Sequence, residues 1–256
     1  MSELYITEVF GPTLQGEGTL AGTMATFIRT AGCTVGCAGC DTKVSWPFGS
    51  HPKKLHPKVT IESLVGAVIT NDTKYVVLTG GEPLETENPE ALTQLLEELT
   101  EKLGCHITLE LSGSVGAFKD GPLWEQFSSY IDLWSFSPKV ASMAPDKLPI
   151  AEFIGKTLRA NWGRHGQLKF VVDPENPPWG EIEALMEAMA ETAVRVPVIL
   201  QVLTPAGSRE KQLKAIAEGP EKLLLKLNQL GRKRWGLWNT ADFRIGVQNH
   251  VLWGVQ

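Results

Sequence analysis

The chain has 256 residues, is 43% hydrophobic and carries a formal net charge of −5. That length is ample for a packed core without help from a metal, and the acidic balance excludes a general nucleic-acid binder, which needs a basic face. No apolar run is long enough to span a bilayer, and Met1-Ser2-Glu3-Leu4 lacks the segments of a signal peptide, so a cytoplasmic setting is expected, where clustered cysteines point to metal or redox chemistry over disulfides.

Residues 6–10 read as a short strand. Residues 11–22, with four glycines and a proline, read as a loop or wide hairpin. The loop holds Thr13-Leu14-Gln15-Gly16-Glu17-Gly18, which is either a solvated turn or a substrate loop offering an amide and a carboxylate to a polar heterocycle. Residues 24–29 form a buried strand that delivers the chain into Cys33-Thr34-Val35-Gly36-Cys37-Ala38-Gly39-Cys40-Asp41-Thr42. Three of the four cysteines stand there as C-x3-C-x2-C. Thiolates favour zinc, copper(I) or iron–sulfur clusters, and three are one short of a closed tetrahedral site. Either a fourth ligand comes from elsewhere or one metal position is open to a reactant. His51 and His56, in the irregular proline-containing stretch 43–58, are candidates for a zinc site but read as exposed loop histidines. Cys105 reads as a small buried hydrophobe.

A βα rhythm begins at Thr60, a helix N-cap candidate. Helix 60–69 precedes strand 75–79. Asn88-Pro89-Glu90 supplies the cap, first-turn proline and acidic first turn of a helix that continues through Leu92, Leu95, Leu96, Leu99 and Leu103. Then come strand 106–111, helix 123–127, strand 131–136, helix 150–159, strand 168–172, helix 179–192, strand 196–203 and a helix over 208–230 broken at Gly219-Pro220. Alternation of this kind implies right-handed βαβ units around a parallel sheet. About six strands follow the first loop, fewer than the eight of a closed barrel; an open partial barrel or a doubly wound sheet fits. No composition break divides the chain, so one domain is expected. The tail carries the basic run Arg232-Lys233-Arg234-Trp235 and ends with His250 near Gln256. Most of the eight tryptophans are expected in the core.

Ligand groups in such folds gather at the C-terminal ends of strands. The glycines of Thr79-Gly80-Gly81-Glu82-Pro83 allow a ligand close approach to the backbone, and Glu82 suits an ammonium group. Glu110 and Ser112, then Ser137-Pro138-Lys139, then Gln201 and Thr204 end later strands, and the cysteine loop sits on the same rim.

This combination resembles the radical S-adenosylmethionine (SAM) superfamily, and within it the 7-carboxy-7-deazaguanine synthase family. The resemblance rests on residues 13–18, Phe27-Ile28-Arg29, Cys40-Asp41-Thr42-Lys43, the Gly-Gly-Glu-Pro turn, Glu110-Leu111-Ser112-Gly113, Ser137-Pro138-Lys139 and Arg244, Gln248 and His250 near the end. It covers most of the chain and thins over 141–196, a segment to which it assigns no role. It implies an open partial (β/α)6 barrel over residues 1–256, with a substrate loop at 11–22 and a substrate-binding tail from about 232. It implies a lyase that turns 6-carboxy-5,6,7,8-tetrahydropterin into 7-carboxy-7-deazaguanine with loss of ammonia, on the way to queuosine and other 7-deazapurines.

By the same resemblance Cys33, Cys37 and Cys40 hold three irons of a [4Fe–4S] cluster, and the fourth iron chelates SAM, whose one-electron cleavage yields a 5′-deoxyadenosyl radical. Such a thiolate cluster reaches a very low potential. SAM contacts fall on Gly39, Cys40, Asp41, Gly81, Glu82, Glu110, Ser112, Ser137, Pro138, Lys139, Gln201, Val202, Leu203 and Thr204. Substrate contacts fall on Leu14, Gln15, Gly16, Glu17, Arg29, Thr79, His250 and Gln256, and the Mg²⁺ ligand on Thr42. Arg29 suits a carboxylate through a two-point grip. The expected partners are a flavodoxin or ferredoxin as electron donor and a second copy of the chain; no membrane or nucleic acid is expected. The family often reads Gln-Pro-Met where this chain has Gln201-Val202-Leu203, and Glu-Thr-Asn-Gly or Glu-Thr-Ser-Gly where it has Glu110-Leu111-Ser112-Gly113. The competing readings are another radical SAM enzyme, such as a glycyl-radical-enzyme activase, and a non-enzymatic zinc-stabilised binding module.

Overall fold

The computed structural model describes residues 2–46, 56–116, 118, 121–161, 165–190, 196–205, 207–229 and 242–254. One sheet of nine strands runs through it, in the order β3-β1-β2-β4-β5-β6-β7-β8-β9. The strands are β1 (Glu3–Leu14), β2 (Met24–Thr30), β3 (Lys58–Thr60), β4 (Tyr75–Gly80), β5 (His106–Leu111), β6 (Leu133–Phe136), β7 (His165–Val172), β8 (Pro197–Val202) and β9 (Asp242–Gly246). β1 pairs antiparallel with both β2 and β3, and every pairing from β2 to β9 is parallel. Among the described residues, helices α1 (Ile61–Asn71), α2 (Pro89–Glu97), α3 (Pro122–Ser129), α4 (Ala151–Ala160), α5 (Trp179–Ala190) and α6 (Arg209–Gln229) follow β3 to β8 in turn, and α7 (Asn249–Trp253) is the last element. Six βα units thus form the expected open (β/α)6 sheet, and no described pairing joins β9 back to β3.

Local chemistry places several ends as expected. Thr60 caps α1 by accepting from the Ser63 amide at 3.2 Å, and Asn88 caps α2 by accepting from Ala91 at 3.0 Å. Each side chain satisfies a donor that the first helical turn leaves open. Leu92, Leu95, Leu96 and Leu99 are all fully buried, so the 3.6-residue rhythm marks the face that packs on the sheet. Trp134 and Phe136 on β6 are fully buried and stack. Trp124 and Trp179 pack against the core and Trp46 against the cysteine loop, while Trp253 is exposed.

One expectation is narrowed and three are corrected. Of the two readings of residues 11–22 the wide hairpin holds, with a shorter connection than expected: β1 runs on through a register slip at Gly11-Pro12 and pairs with β2 down to Leu14 opposite Met24. Gly219-Pro220 does not break α6, which runs on with Pro220 inside it; Gly219 lies against Val202, where an added Cβ would come within 2.4 Å of its side chain. The tail supplies a seventh parallel strand, β9, which the sequence reading leaves out although Asp242-Phe243-Arg244-Ile245 alternates polar and apolar. His56 is 3% exposed instead of lying on an open loop. His51, the basic run at 232–235 and Gln256 lie outside the described residues.

Candidate active site

β2 runs out at Thr30 and the cysteine loop begins. Cys33 and Cys37 are buried and Cys40 is half-buried. All three line one cleft of about 280 Å³ at the C-terminal ends of the parallel strands. The loop is tied down from outside: Ala38 donates its amide to the Met143 carbonyl at 2.8 Å, Thr34 donates its amide to Glu85 Oε2 at 2.6 Å, and Val35 and Ala144 pack beneath. Gly36 and Gly39 sit at φ 65° and 76°, where a Cβ would meet nothing within 4 Å. Their role is the turn, and the space beside them stays open.

Burial pushes the Cys33 thiol up to about 12, against a backbone hydrogen bond at Val35 and with the Glu82 and Glu85 charges adding to it. Burial also raises Cys37, opposed chiefly by the Lys139 ammonium. Buried thiols lose their protons readily only to a metal. Three soft donors beside a cation, all facing one cleft, fit an iron–sulfur cluster with one outside ligand. Among the described residues no three or more His, Cys, Asp or Glu side chains are gathered as a metal-holding group, the three cysteines included. His56 does not line the cleft, and Cys105 lies in the core as expected. A zinc site with four protein ligands therefore finds no support.

Next to the loop stands the turn after β4. Gly81 donates to the Thr30 carbonyl at 3.0 Å and Glu82 to the Gly32 carbonyl at 2.7 Å. A Cβ on Gly81 would come within 1.9 Å of the Gly32 oxygen. What these glycines admit is the backbone that leads into the cysteine loop. Glu82 is 1% exposed. Its Oε2 accepts from the Ser112 amide at 2.9 Å and from the Ser112 hydroxyl, and its buried Oε1 has no partner among the described residues. Burial raises its carboxyl to about 7, over the opposing pull of those Ser112 hydrogen bonds. An ammonium group arriving at Oε1 would supply the missing partner and charge. Lys139 donates to Ser137 Oγ at 2.8 Å on the same side.

The far side of the cleft is built by β1, β2, β4, β5 and β7. Parallel register places Arg29 opposite Thr79, Glu110 opposite Ser135 and Ser135 opposite Gln167. Arg29 Nε pairs with Glu8 at 2.8 Å and its Nη1 donates to Thr42 Oγ1 at 3.2 Å. That bond sets a guanidinium beside the expected magnesium residue. Thr79 donates to Glu110 Oε2 at 2.9 Å and Gln15 donates to Glu110 Oε1 at 3.3 Å. Glu17 is paired with Lys169 and accepts from Gln248 at 2.8 Å. Burial alone would raise the Glu17 carboxyl; Lys169, by charge and hydrogen bond, overcomes it and, with Gln248 and His250, holds it at about 2. Gly16 donates no side chain because none fits: a Cβ would lie 2.1 Å from His250 Nδ1. The Gly16 carbonyl accepts from Asn249 at 2.9 Å, fastening the connection between β1 and β2 to α7.

The cleft therefore gathers Leu14, Gln15, Gly16, Glu17, Arg29, the three cysteines, Asp41, Thr42, Thr79, Gly81, Glu82, Glu110, Ser112, Ser137, Lys139 and His250. Gly39, Pro138 and residues 201–204 are not among the lining residues, although both amide atoms of Gln201 and the Thr204 hydroxyl are buried without a partner among the described residues. Lys169 was not anticipated. The signal was available: a lysine inside the apolar run of β7, in phase with Gln167 and Val171, is a charge that must face something.

A three-cysteine loop on the rim of an open (β/α)6 sheet, lining one cleft with a set of polar side chains, points to an iron–sulfur enzyme of the radical SAM class. Comparison with known proteins agrees. Residues 14–133 match the family described as a 4Fe-4S single cluster domain. The 7-carboxy-7-deazaguanine synthase of Halobacterium salinarum is 33% identical over 93% of this chain and 91% of its own, and that of Bacillus cereus 30% identical over 99% and 98%. The crystal structure of QueE from Escherichia coli superposes with a TM-score of 0.59 over 97% of this chain and 95% of that one, at 23% identity, which speaks to the fold. The chain belongs to the 7-carboxy-7-deazaguanine synthase family.

Proposed function

We propose that the chain converts 6-carboxy-5,6,7,8-tetrahydropterin into 7-carboxy-7-deazaguanine with loss of ammonia, working as one domain. The observation that carries this is that one cleft gathers the three cysteines, Glu82 and Lys139 together with Glu17, Arg29 and Thr42. Cys33, Cys37 and Cys40 would hold the cluster, and Glu82 the SAM ammonium. When bound, cluster and SAM supply one-electron bond cleavage and a carbon-centred hydrogen abstractor. The protein's share is to orient and to exclude water. Arg29 meets the substrate carboxylate and Thr42 brings Mg²⁺ to the same group, a hard cation among oxygen ligands. Glu17 and Gln15 take the polar edge of the pterin ring, and the α7 segment with His250 closes over it. Gly39, Pro138 and residues 201–204, which do not line the cleft, and Gln256, which lies outside the described residues, are assigned to SAM and substrate by the family resemblance alone. A flavodoxin or ferredoxin supplies the electron, the working form is a homodimer, and the setting is cytoplasmic. No helix among the described residues is long and apolar enough to cross a membrane.

The test is anaerobic purification with iron and sulfide analysis, then incubation with SAM, reductant, Mg²⁺ and the carboxy-tetrahydropterin. The deazaguanine product is expected by mass spectrometry. A protein that carries zinc in place of the cluster, or one that cleaves SAM and never forms the product, would overturn the reading.

A further inference from the structure

We infer that Lys169 is a positioning residue for substrate recognition, holding Glu17 with Gln248 as a two-pronged acceptor for adjacent N–H donors of the ligand. The inference rests on the functional reading above and adds a residue that reading does not use.

Lys169 is 6% exposed and lies in the middle of β7. Its ammonium faces two carboxylates from different parts of the chain: Glu17 of the substrate loop, which it contacts directly at Oε2, and Glu110 at the end of β5, 3.9 Å from Oε1. Gln248, just before α7, donates to the other oxygen of Glu17 at 2.8 Å. Each Glu17 oxygen thus has one donor from the protein, and each keeps a second acceptor direction. The Glu17 amide also donates to Gln15 Oε1 at 3.3 Å, which fixes the backbone under the side chain. Gln15 and Thr79 both donate to Glu110. These bonds bind β4, β5, β7, the substrate loop and the tail into one polar network with Lys169 at its centre.

A carboxylate held this way is ionised and cannot turn. It suits a ligand edge with two adjacent N–H groups, such as a ring N–H beside an exocyclic amine, which a carboxylate meets with two parallel bonds. The 2-amino-4-oxopyrimidine edge of a pterin has that arrangement. Without the ammonium, Glu17 would keep its place in sequence and lose its fixed orientation and much of its charge.

The experiment uses the anaerobically reconstituted holoenzyme with SAM bound and measures binding of the carboxy-tetrahydropterin by calorimetry, together with KM, kcat and SAM affinity. Lys169→Met is expected to weaken pterin binding about 10- to 100-fold, the loss typical of a charge-assisted hydrogen bond, with SAM affinity unchanged within about twofold. Lys169→Arg is expected to restore most of it. Glu17→Gln is expected to weaken binding similarly, and the Lys169→Met/Glu17→Gln pair no further than Glu17→Gln alone, since both act on one contact. If Lys169→Met folds poorly, Gln248→Leu, which frees only the other oxygen, must still raise KM with kcat nearly constant. Wild-type pterin binding with Lys169→Met binding equally well overturns this inference alone, as does a double variant weakened by the product of the single effects. A wild-type holoenzyme that binds SAM and no pterin overturns the functional reading and this inference with it.

Discussion

Replacing Lys169 by methionine keeps the volume of the side chain and deletes its charge. Glu17 then stands buried among β5, β7 and the tail without its cation. In the native protein its carboxyl lies at about 2 against an ordinary 4.5. The difference, about 2.5 units at about 1.4 kcal/mol each, amounts to about 3 kcal/mol of stability at neutral pH. Because the folded value is depressed, that contribution is present above pH 4.5 and is lost as the pH falls from 4.5 through 2. In the variant burial dominates and the carboxyl rises above 4.5. Its ionisation then opposes folding at pH 7 and is relieved in mild acid. Removing one partner of a buried pair costs about 3–5 kcal/mol. Urea unfolding under anaerobic conditions should show the midpoint lowered by about 1 M at pH 7, for a slope near 3 kcal/mol per molar, and by clearly less at pH 5. Adding Glu17→Gln should recover more than half of the loss. A shift below about 0.3 M, or an equal shift at both pH values, would refute the reasoning.

Gly81→Ala should disturb the backbone contact that anchors the cysteine loop, because the new Cβ would lie 1.9 Å from the Gly32 carbonyl; iron and sulfide content after reconstitution should fall by more than half, and full loading would show that the turn does not position the loop. Leu96→Ala removes a fully buried side chain of α2 and should cost about 2–5 kcal/mol in the same unfolding assay, with SAM binding unchanged in the folded protein. Thr42→Ala should weaken the Mg²⁺ dependence of turnover and leave the cluster spectrum intact; unchanged Mg²⁺ stimulation would remove Thr42 as a ligand. Gly16→Ala forces a Cβ toward His250 and should raise KM for the pterin at least about 10-fold while SAM cleavage without substrate stays at the wild-type rate; the tenfold expectation corresponds to about 1.4 kcal/mol of lost binding.

Much of the fold was legible because its signals are local. The caps at Thr60 and Asn88, the leucine stripe of α2 and the apolar cores of β4 to β8 each follow from chemistry within a few residues. C-x3-C-x2-C by itself stated a metal site one ligand short, and the ordered motifs around it carried the family resemblance. Where local signals were weak, the reading failed. Gly11 and Pro12 look like a turn; in the fold they interrupt the β1–β2 register, and pairing resumes at Thr13 opposite Ala25. β9 is five residues long, too short for its Phe243/Ile245 alternation to stand out, and it pairs along β8.

The sheet's rhythm, the cysteine loop and the polar residues at the strand ends are written in the chain, since spacing and side-chain type are local properties. Which of those residues face one another is settled by strand order and register. Lys169 meets Glu17 across 152 positions of sequence and Gln248 meets it across 231. Such pairs have no signature in periodicity, because their partner is chosen by strand order and register. The same holds for Gly81, whose glycine answers to a backbone carbonyl from the neighbouring loop. Burial then makes these meetings matter: in water the Glu17–Lys169 pair would contribute little, and inside the cleft it sets both the charge and the direction of the carboxylate.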